Sequence, residues 1–192
     1  MTSMRCRIDR RGWLSGGAER LASPNCDARP AGVAVDLIVI HNISLPPGEF
    51  GGPGIADLFT NRLDPHAHAY YAGIHTLRVS AHFVVRREGE VIQFVSCDDR
   101  AWHAGASSWE GRDDCNDFSI GIELEGLEGD PFEEAQYAAL AALLPSVSNR
   151  YPVRAVAGHE HVAPGRKNDP GAAFDWPHLR ALFHRPGIRY AA

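Results

Sequence analysis

An α/β fold, a single mixed β-sheet flanked by helices, is what this sequence predicts, and three observations carry the prediction. The run Leu37-Ile38-Val39-Ile40 inside Val35–His41 has no polar alternation, so it suits a central strand covered on both faces. Leu77–Arg86 and Glu90–Val95 flank a Glu88-Gly89 turn and read as a hairpin, so part of the sheet is antiparallel. Helical runs, at about 133–144 and 177–184, alternate with the later strands. The order strand, short helix, hairpin, strand, helix, strand, helix gives one sheet of four to six strands.

The bulk properties narrow the function. The chain has 192 residues, enough for one domain with its own core; we expect a single domain over 1–192, with 1–33 an N-terminal wrap and 186–192 a flexible tail. A net charge of -5 excludes a dedicated nucleic-acid binder, so no nucleic-acid partner is expected. No run of about eighteen apolar residues is present, and no membrane partner is expected. The arginines near the N-terminus are not followed by an apolar segment of the secretory type, which leads us to expect a cytoplasmic protein. Cys6, Cys26, Cys97 and Cys115 form no Cys-x-x-Cys pair and read as free thiols. A monomer is expected.

Taken in order, residues 1–33 are rich in arginine, glycine and proline, with Trp13 and Leu14 as anchors on the core. The first strand ends in His41-Asn42. A histidine at the exit of a buried strand is aimed at a sheet edge where α/β proteins place sites, or is satisfied by a core hydrogen bond. Ser44–Gly54 is long enough to wall a cleft. Ile55–Asn61 reads as a short helix. His66 and His68 lie beside Pro65 and read as surface loop rather than metal ligands. On the strand Phe118–Gly126, Ile120, Ile122 and Leu124 share one face, and Gly121, Glu123 and Glu125 share the other. At a sheet edge the two carboxylates would simply be solvated; in a central strand they need a partner, and a metal cluster would be one. Asp130 as N-cap, Pro131 at N1 and Glu133 at N3 should start the long helix, and Pro145 should kink or end it. Val153–His159 is a further strand, which delivers His159 into a stretch of unusual composition.

Gly158–Gly171 packs two imidazoles, two carboxylates, an arginine and a lysine into fourteen residues with three glycines and two prolines. That is either a loop shaped for chemistry or a solvated loop with ion pairs. His41, Glu123, His159 and Asp169 all lie at strand exits or in the loop that follows, so one sheet could converge them. Two histidines and a carboxylate with an open position describe a catalytic zinc, and equally the facial triad of a non-haem iron oxygenase. The iron centre usually rides on a jelly-roll barrel, for which this chain has too few strands and too much helix.

Four segments in order resemble the type 2 N-acetylmuramoyl-L-alanine amidases: Val39-Ile40-His41-Asn42-Ile43-Ser44, Trp102-His103-Ala104-Gly105, Asn116–Gly126, and Gly158-His159 through Lys167-Asn168-Asp169-Pro170-Gly171. The Ser44–Pro53 loop and Phe174-Asp175-Trp176 are similar to the cytoplasmic anhydro-muramyl-L-alanine amidases of cell-wall recycling, and the resemblance covers about residues 10–183. It implies the fold shared with phage amidases and peptidoglycan-recognition proteins, and a small muropeptide substrate. By the same resemblance His41, His159 and Asp169 hold one zinc ion, Glu123 rather than Glu125 is the general acid/base, and Lys167 steadies the oxyanion. Arg78 and Trp102 line the substrate groove, with Asn42 beside the first ligand.

The chain departs from the family in four places. Asp114 stands where relatives carry a basic residue, His161 where they often carry Asp, Pro145 interrupts a helix that is usually continuous, and Ala81 matches the catalytic tyrosine of phage amidases. In an extended segment His161 would point the same way as His159 and compete for the metal; we expect it to lie outside the ligand set. Two other functions are weighed. A non-catalytic peptidoglycan-fragment-binding module would lack a ligand, whereas all three are present. A lytic amidase acting on intact peptidoglycan would be secreted.

Overall fold

The structure, a computed structural model, describes residues 6–191. Its main sheet has seven strands, one more than the upper expectation, because both ends of the chain contribute an edge. Before the sheet the chain forms β1 (Arg7–Ile8) and β2 (Leu14–Ser15), which pair with each other. Then come β3 (Ala18–Arg20), β4 (Cys26–Ala28) and the central β5 (Leu37–Ile43). Helices α1 (Gly54–Phe59) and α2 (Ala69–Ala72) follow, then β6 (Phe83–Val85), β7 (Val91–Gln93) and β8 (Asp99–Ala101), which pairs with β4. A small ribbon, β9 (Ser108–Trp109) and β10 (Arg112–Asp113), and a 3₁₀ turn at Cys115–Asp117 lead into β11 (Ser119–Glu125). The rest is α3 (Glu134–Arg150), β12 (Ala155–Gly158), α4 (His159–Val162), α5 (Trp176–Leu182) and β13 (Arg189–Tyr190).

The strand order is β13-β12-β5-β11-β6-β7-β3, parallel at every pairing except the β6–β7 hairpin. β5 and β11 lie at the centre; the apolar run of β5 requires cover on both faces, and every residue of the alternating β11 is buried beside it, Glu123 and Glu125 included. One face carries Ile38, Ile40, Ile120, Ile122 and Leu124 against Leu140, Leu144 and Val147 of α3 and Leu179 of α5. The opposite face is divided. α1 covers the β6–β7 side through Ile55, Leu58 and Phe59, and Leu37, Val39, Ala155, Ala157 and Val162 form a smaller core on the β12 side. The site lies on this second face.

Several expectations need correction. Leu77–Arg86 is regular strand only at Phe83–Val85, because Ala81 and Val84 both pack under α1 and simple alternation breaks between them. The N-cap of α3 is Glu133, not Asp130: Glu133 and Gln136 close a reciprocal capping box, while Asp130 N–H is spent on a turn to Leu127 O. Phe132 before the cap and Tyr137 in the first turn both pack on Phe174, at centroid distances of 5.6 and 5.4 Å. Pro145 does not end the helix, which runs five residues past it; Leu144 and Val147 are fully buried and Ser146 Oγ donates to Ala142 O at 3.0 Å. The segment after Pro186, expected as a flexible tail, instead adds β13 beside β12, with Tyr190 Oη donating to Phe183 O at 2.5 Å.

Candidate metal centre and active site

Strand register brings the site together. His41 on β5 is paired across the ladder with Glu123 on β11, and Ile40 with Gly158, the last residue of β12. His159, one residue further, therefore leaves its strand level with His41. It opens α4, a single turn, after which the chain folds back through Pro164 and Gly165 and returns Asp169, whose backbone carbonyl accepts from Glu160 N at 2.9 Å. Asn42 Nδ2 donates to Pro170 O at 3.1 Å and ties this returning loop to β5.

The three side chains converge closely. His41 Nδ1 lies 2.9 Å from His159 Nδ1, and both lie 3.1 Å from Asp169 Oδ2. Their outer nitrogens show where the protons are. His159 Nε2 lies 3.0 Å from Ala104 O and 3.3 Å from Arg166 Nη2; the guanidinium already donates to Ala104 O, so the shorter contact, to a carbonyl that can only accept, puts the proton on Nε2 and leaves a lone pair on Nδ1. Ser119 Oγ donates to Cys115 O at 2.5 Å and so accepts from His103 Nε2 at 3.2 Å. His103 Nδ1 is then the acceptor for His41 Nε2 at 2.9 Å, and His41 Nδ1 also presents a lone pair. Burial holds His41 down to about 4, so its ring is neutral at pH 7. Two lone pairs and a carboxylate thus face one another with no proton among them, an arrangement a cation resolves.

The donor chemistry fits a metal ion. Ligand bonds of about 2.0–2.1 Å in tetrahedral geometry separate donors by about 3.3 Å, close to the spacings here. His41, His159 and Asp169 form the one group of this kind among the described residues. Both histidines give their second N–H to a protein acceptor, as metal-bound imidazoles do.

Glu123 is 8% exposed, and its Oε2 is buried without a hydrogen-bond partner among the described residues. Burial first, then the Asp169 charge, pushes its carboxyl well above the usual range, and the Lys167 charge partly offsets this. Glu125, on the same strand face, is satisfied: it accepts from Arg86 Nη1 at 3.2 Å and from Gly51 N at 2.7 Å, pinning the 44–54 loop. Lys167 is exposed on the loop before Asp169. Trp102 is half-buried, with Nε1 donating to Asp27 Oδ1 at 3.3 Å, and Arg78 is exposed, its guanidinium on Leu77 O at 3.2 Å.

His161 does not compete with His159. Because the segment is a helical turn and not extended, its ring turns back: Nδ1 accepts from Gly158 N at 2.9 Å and the ring meets Trp176 edge-on. His66 and His68 join no metal-ligand group among the described residues, and His68 Nδ1 caps α2 through Tyr70 N at 3.1 Å. Sequence reasoning passed over His103 in favour of its neighbour Trp102. A ligand histidine needs an acceptor for its second nitrogen, and that requirement points to a further polar side chain nearby.

The family model described as N-acetylmuramoyl-L-alanine amidase matches residues 31–172. The chain is 56% identical over 173 residues to the 1,6-anhydro-N-acetylmuramyl-L-alanine amidase AmpD of Citrobacter freundii, covering 89% of this chain and 92% of that protein. The crystal structure of a selenomethionine derivative of AmpD matches with a TM-score of 0.88 at 54% identity, over 91% of this chain and 98% of that one. The Escherichia coli amidase AmiD, solved in complex with the substrate anhydro-N-acetylmuramic acid-L-Ala-D-gamma-Glu-L-Lys, matches with a TM-score of 0.58 at 28% identity, over 93% of this chain and 65% of that one. Since the family match takes in His41, Glu123, His159 and Asp169 together, and the relatedness runs through most of both chains, this protein belongs to the N-acetylmuramoyl-L-alanine amidase family.

Proposed function

We infer that the chain hydrolyses the amide bond between the lactyl group of 1,6-anhydro-N-acetylmuramic acid and the L-alanine of the stem peptide, as an enzyme of cell-wall recycling. The observation that carries this is the set of three unprotonated donors beside a buried carboxylate with an orphaned oxygen. His41, His159 and Asp169 would hold one zinc ion: two imidazoles and a carboxylate are a hydrolytic zinc set with a fourth position left for water or substrate. When bound, the ion supplies Lewis acidity for polarising an amide carbonyl and for acidifying water.

The chain's own residues do the rest. Glu123 takes the proton of the attacking water and returns it to the alanine nitrogen as the C–N bond breaks. Its burial beside Asp169 raises its proton affinity, which suits a group that must hold that proton between the two steps. With Ala81 in place of a tyrosine, Glu123 does this work alone. Lys167 puts a positive charge where the tetrahedral oxyanion develops. Asn42, through Pro170 O, steadies the loop that carries Asp169 and borders the substrate with Trp102 and Arg78. Four free thiols suit a reducing compartment, and we propose a cytoplasmic monomer; no described helix is long and apolar enough to cross a membrane.

Purified protein incubated with anhydro-muramyl-tripeptide should release free tripeptide and anhydromuramic acid by mass spectrometry. Metal analysis after dialysis without chelator should find one zinc per chain. Intact substrate after incubation with zinc-replete protein overturns the activity, and full turnover by metal-free protein overturns the metal assignment.

A further inference from the structure

The outer nitrogens of both ligand histidines are held by two consecutive residues: His41 Nε2 by His103 Nδ1, and His159 Nε2 by Ala104 O. That two-residue segment is itself fixed. Asn116 Oδ1 accepts from both His103 N, at 3.1 Å, and Ala104 N, at 2.8 Å. Arg29 then fastens the turn that carries Asn116, donating to Asn116 O at 3.0 Å, Asp117 O at 2.9 Å and Ser119 O at 2.9 Å. The His103 ring also has a shaped seat. A Cβ on Gly121 would lie 2.4 Å from Cγ and 2.7 Å from Nδ1 of that ring, so only glycine at this central-strand position leaves room for it.

We propose that His103 is a positioning residue for the metal centre: with Ala104 it forms one brace, anchored by Asn116 and seated on Gly121, that fixes the tautomer and ring orientation of the metal-binding histidines. The proposal rests on the metal-site reading above. The chain of bonds from His41 to Cys115 O has one polarity, because it ends on a carbonyl that cannot donate. The competing acceptor for the His41 proton is Asp169 Oδ2, 3.1 Å from Nδ1 on the opposite side of the ring, so His103 Nδ1 is what keeps that proton on Nε2. Removing the acceptor frees His41 to protonate Nδ1, the ligand atom, and to rotate. The cost then appears in metal affinity, where loss of such outer partners typically amounts to roughly 10–100-fold. His159, held by a backbone carbonyl, keeps its tautomer when only the His103 side chain is changed.

The test measures zinc affinity by chelator competition on the full chain, with H41A as reference. His103→Phe, which fills the seat without an acceptor, and Gly121→Ala, which displaces the ring while removing no polar group, should each weaken zinc binding about 10–100-fold. His103→Asn, whose Oδ1 stands near the Nδ1 position, should recover most of it. Long-range ¹H–¹⁵N spectra of the metal-free protein should show His41 and His159 both protonated at Nε2 in the parent, with only His41 changed in H103F. A folded H103F that binds zinc within twofold of the parent, or keeps the His41 tautomer, overturns the brace while leaving the metal site standing. If H103F does not fold, the same two readings on G121A decide. A parent whose zinc affinity is untouched by H41A overturns the metal reading and the brace together.

Discussion

At the scale of single residues, the sharpest expectation concerns Glu123. A group that only moves protons can be removed without emptying the metal site, so Glu123→Ala should keep zinc while turnover falls about 10²–10⁴-fold. Lys167→Ala should also keep zinc and lose about 10²–10³-fold, the worth of an oxyanion donor. Rate and zinc content measured on the same preparations separate these roles: an E123A protein that has lost its metal makes Glu123 a ligand, and near-normal turnover refutes the mechanism. The candidate ligands were legible in the sequence because His41 ends an apolar run and His159 and Asp169 sit in a stretch too polar and too rich in Gly and Pro for a core element. Glu123 and Glu125 were not separable by pattern, since alternation puts both on one face. The family resemblance singles out Glu123, and their surroundings differ: Glu125 meets Arg86 and Gly51 N, whereas Glu123 Oε2 meets no donor among the described residues. His103 was invisible for a related reason. Its meaning lies in a contact across sixty-two residues, and loop sequence carries no period that would reveal it.

At the scale of elements, the sequence was read best where burial and period coincide and worst where tertiary contacts overrule local preference. β5 announces itself by a continuous apolar run and β11 by the alternation of Ile120, Ile122 and Leu124, whereas β13 is two residues on the edge, ordered by pairing to β12. α4 hides inside a Gly- and Pro-rich stretch and is one turn long. α3 shows the override most clearly, because Pro145 removes a backbone donor yet Leu140, Leu143, Leu144 and Val147 hold the helix on the sheet. Proline in a helix interior costs about 3 kcal/mol relative to alanine, offset in part by its stiffening of the unfolded chain. Pro145→Ala should therefore raise the unfolding free energy by about 1–2 kcal/mol in urea, with unchanged turnover; a loss of stability would mean the ring's packing outweighs the missing hydrogen bond. Glu125 tests the loop that it pins. Glu125→Ala leaves the mostly buried Arg86 without its carboxylate, a kind of loss that costs about 3–5 kcal/mol. The variant should be less stable by that order and should keep its zinc, with a smaller loss of turnover than E123A.

At the scale of the whole molecule, buried ionisable groups of opposite tendency set the response of the metal-free protein to acid. His41, His82 and His103 are held neutral chiefly by burial, His41 down to about 4 and the other two well below the usual imidazole value. As pH falls below about 6.5 the unfolded chain binds protons at these sites and the folded chain does not, so each removes stability at up to about 1.4 kcal/mol per pH unit. Glu123 works the other way. Its folded proton affinity is raised by burial, so between its raised value and the ordinary carboxylate range the folded state binds the extra proton and gains stability as pH falls. Replacing Glu123 by glutamine removes the cost of a buried charge and also removes that compensating proton uptake. Metal-free E123Q should therefore be more stable than the parent at pH 7, lose stability more steeply on acidification, and converge with the parent below about pH 4.5. Urea unfolding of both proteins across pH 4–8 measures this directly. A stability difference that stays constant over that range would show that Glu123 binds its proton equally well in the folded and the unfolded chain. It would then have to acquire its role as proton carrier from the bound metal and substrate and not from the sheet that buries it.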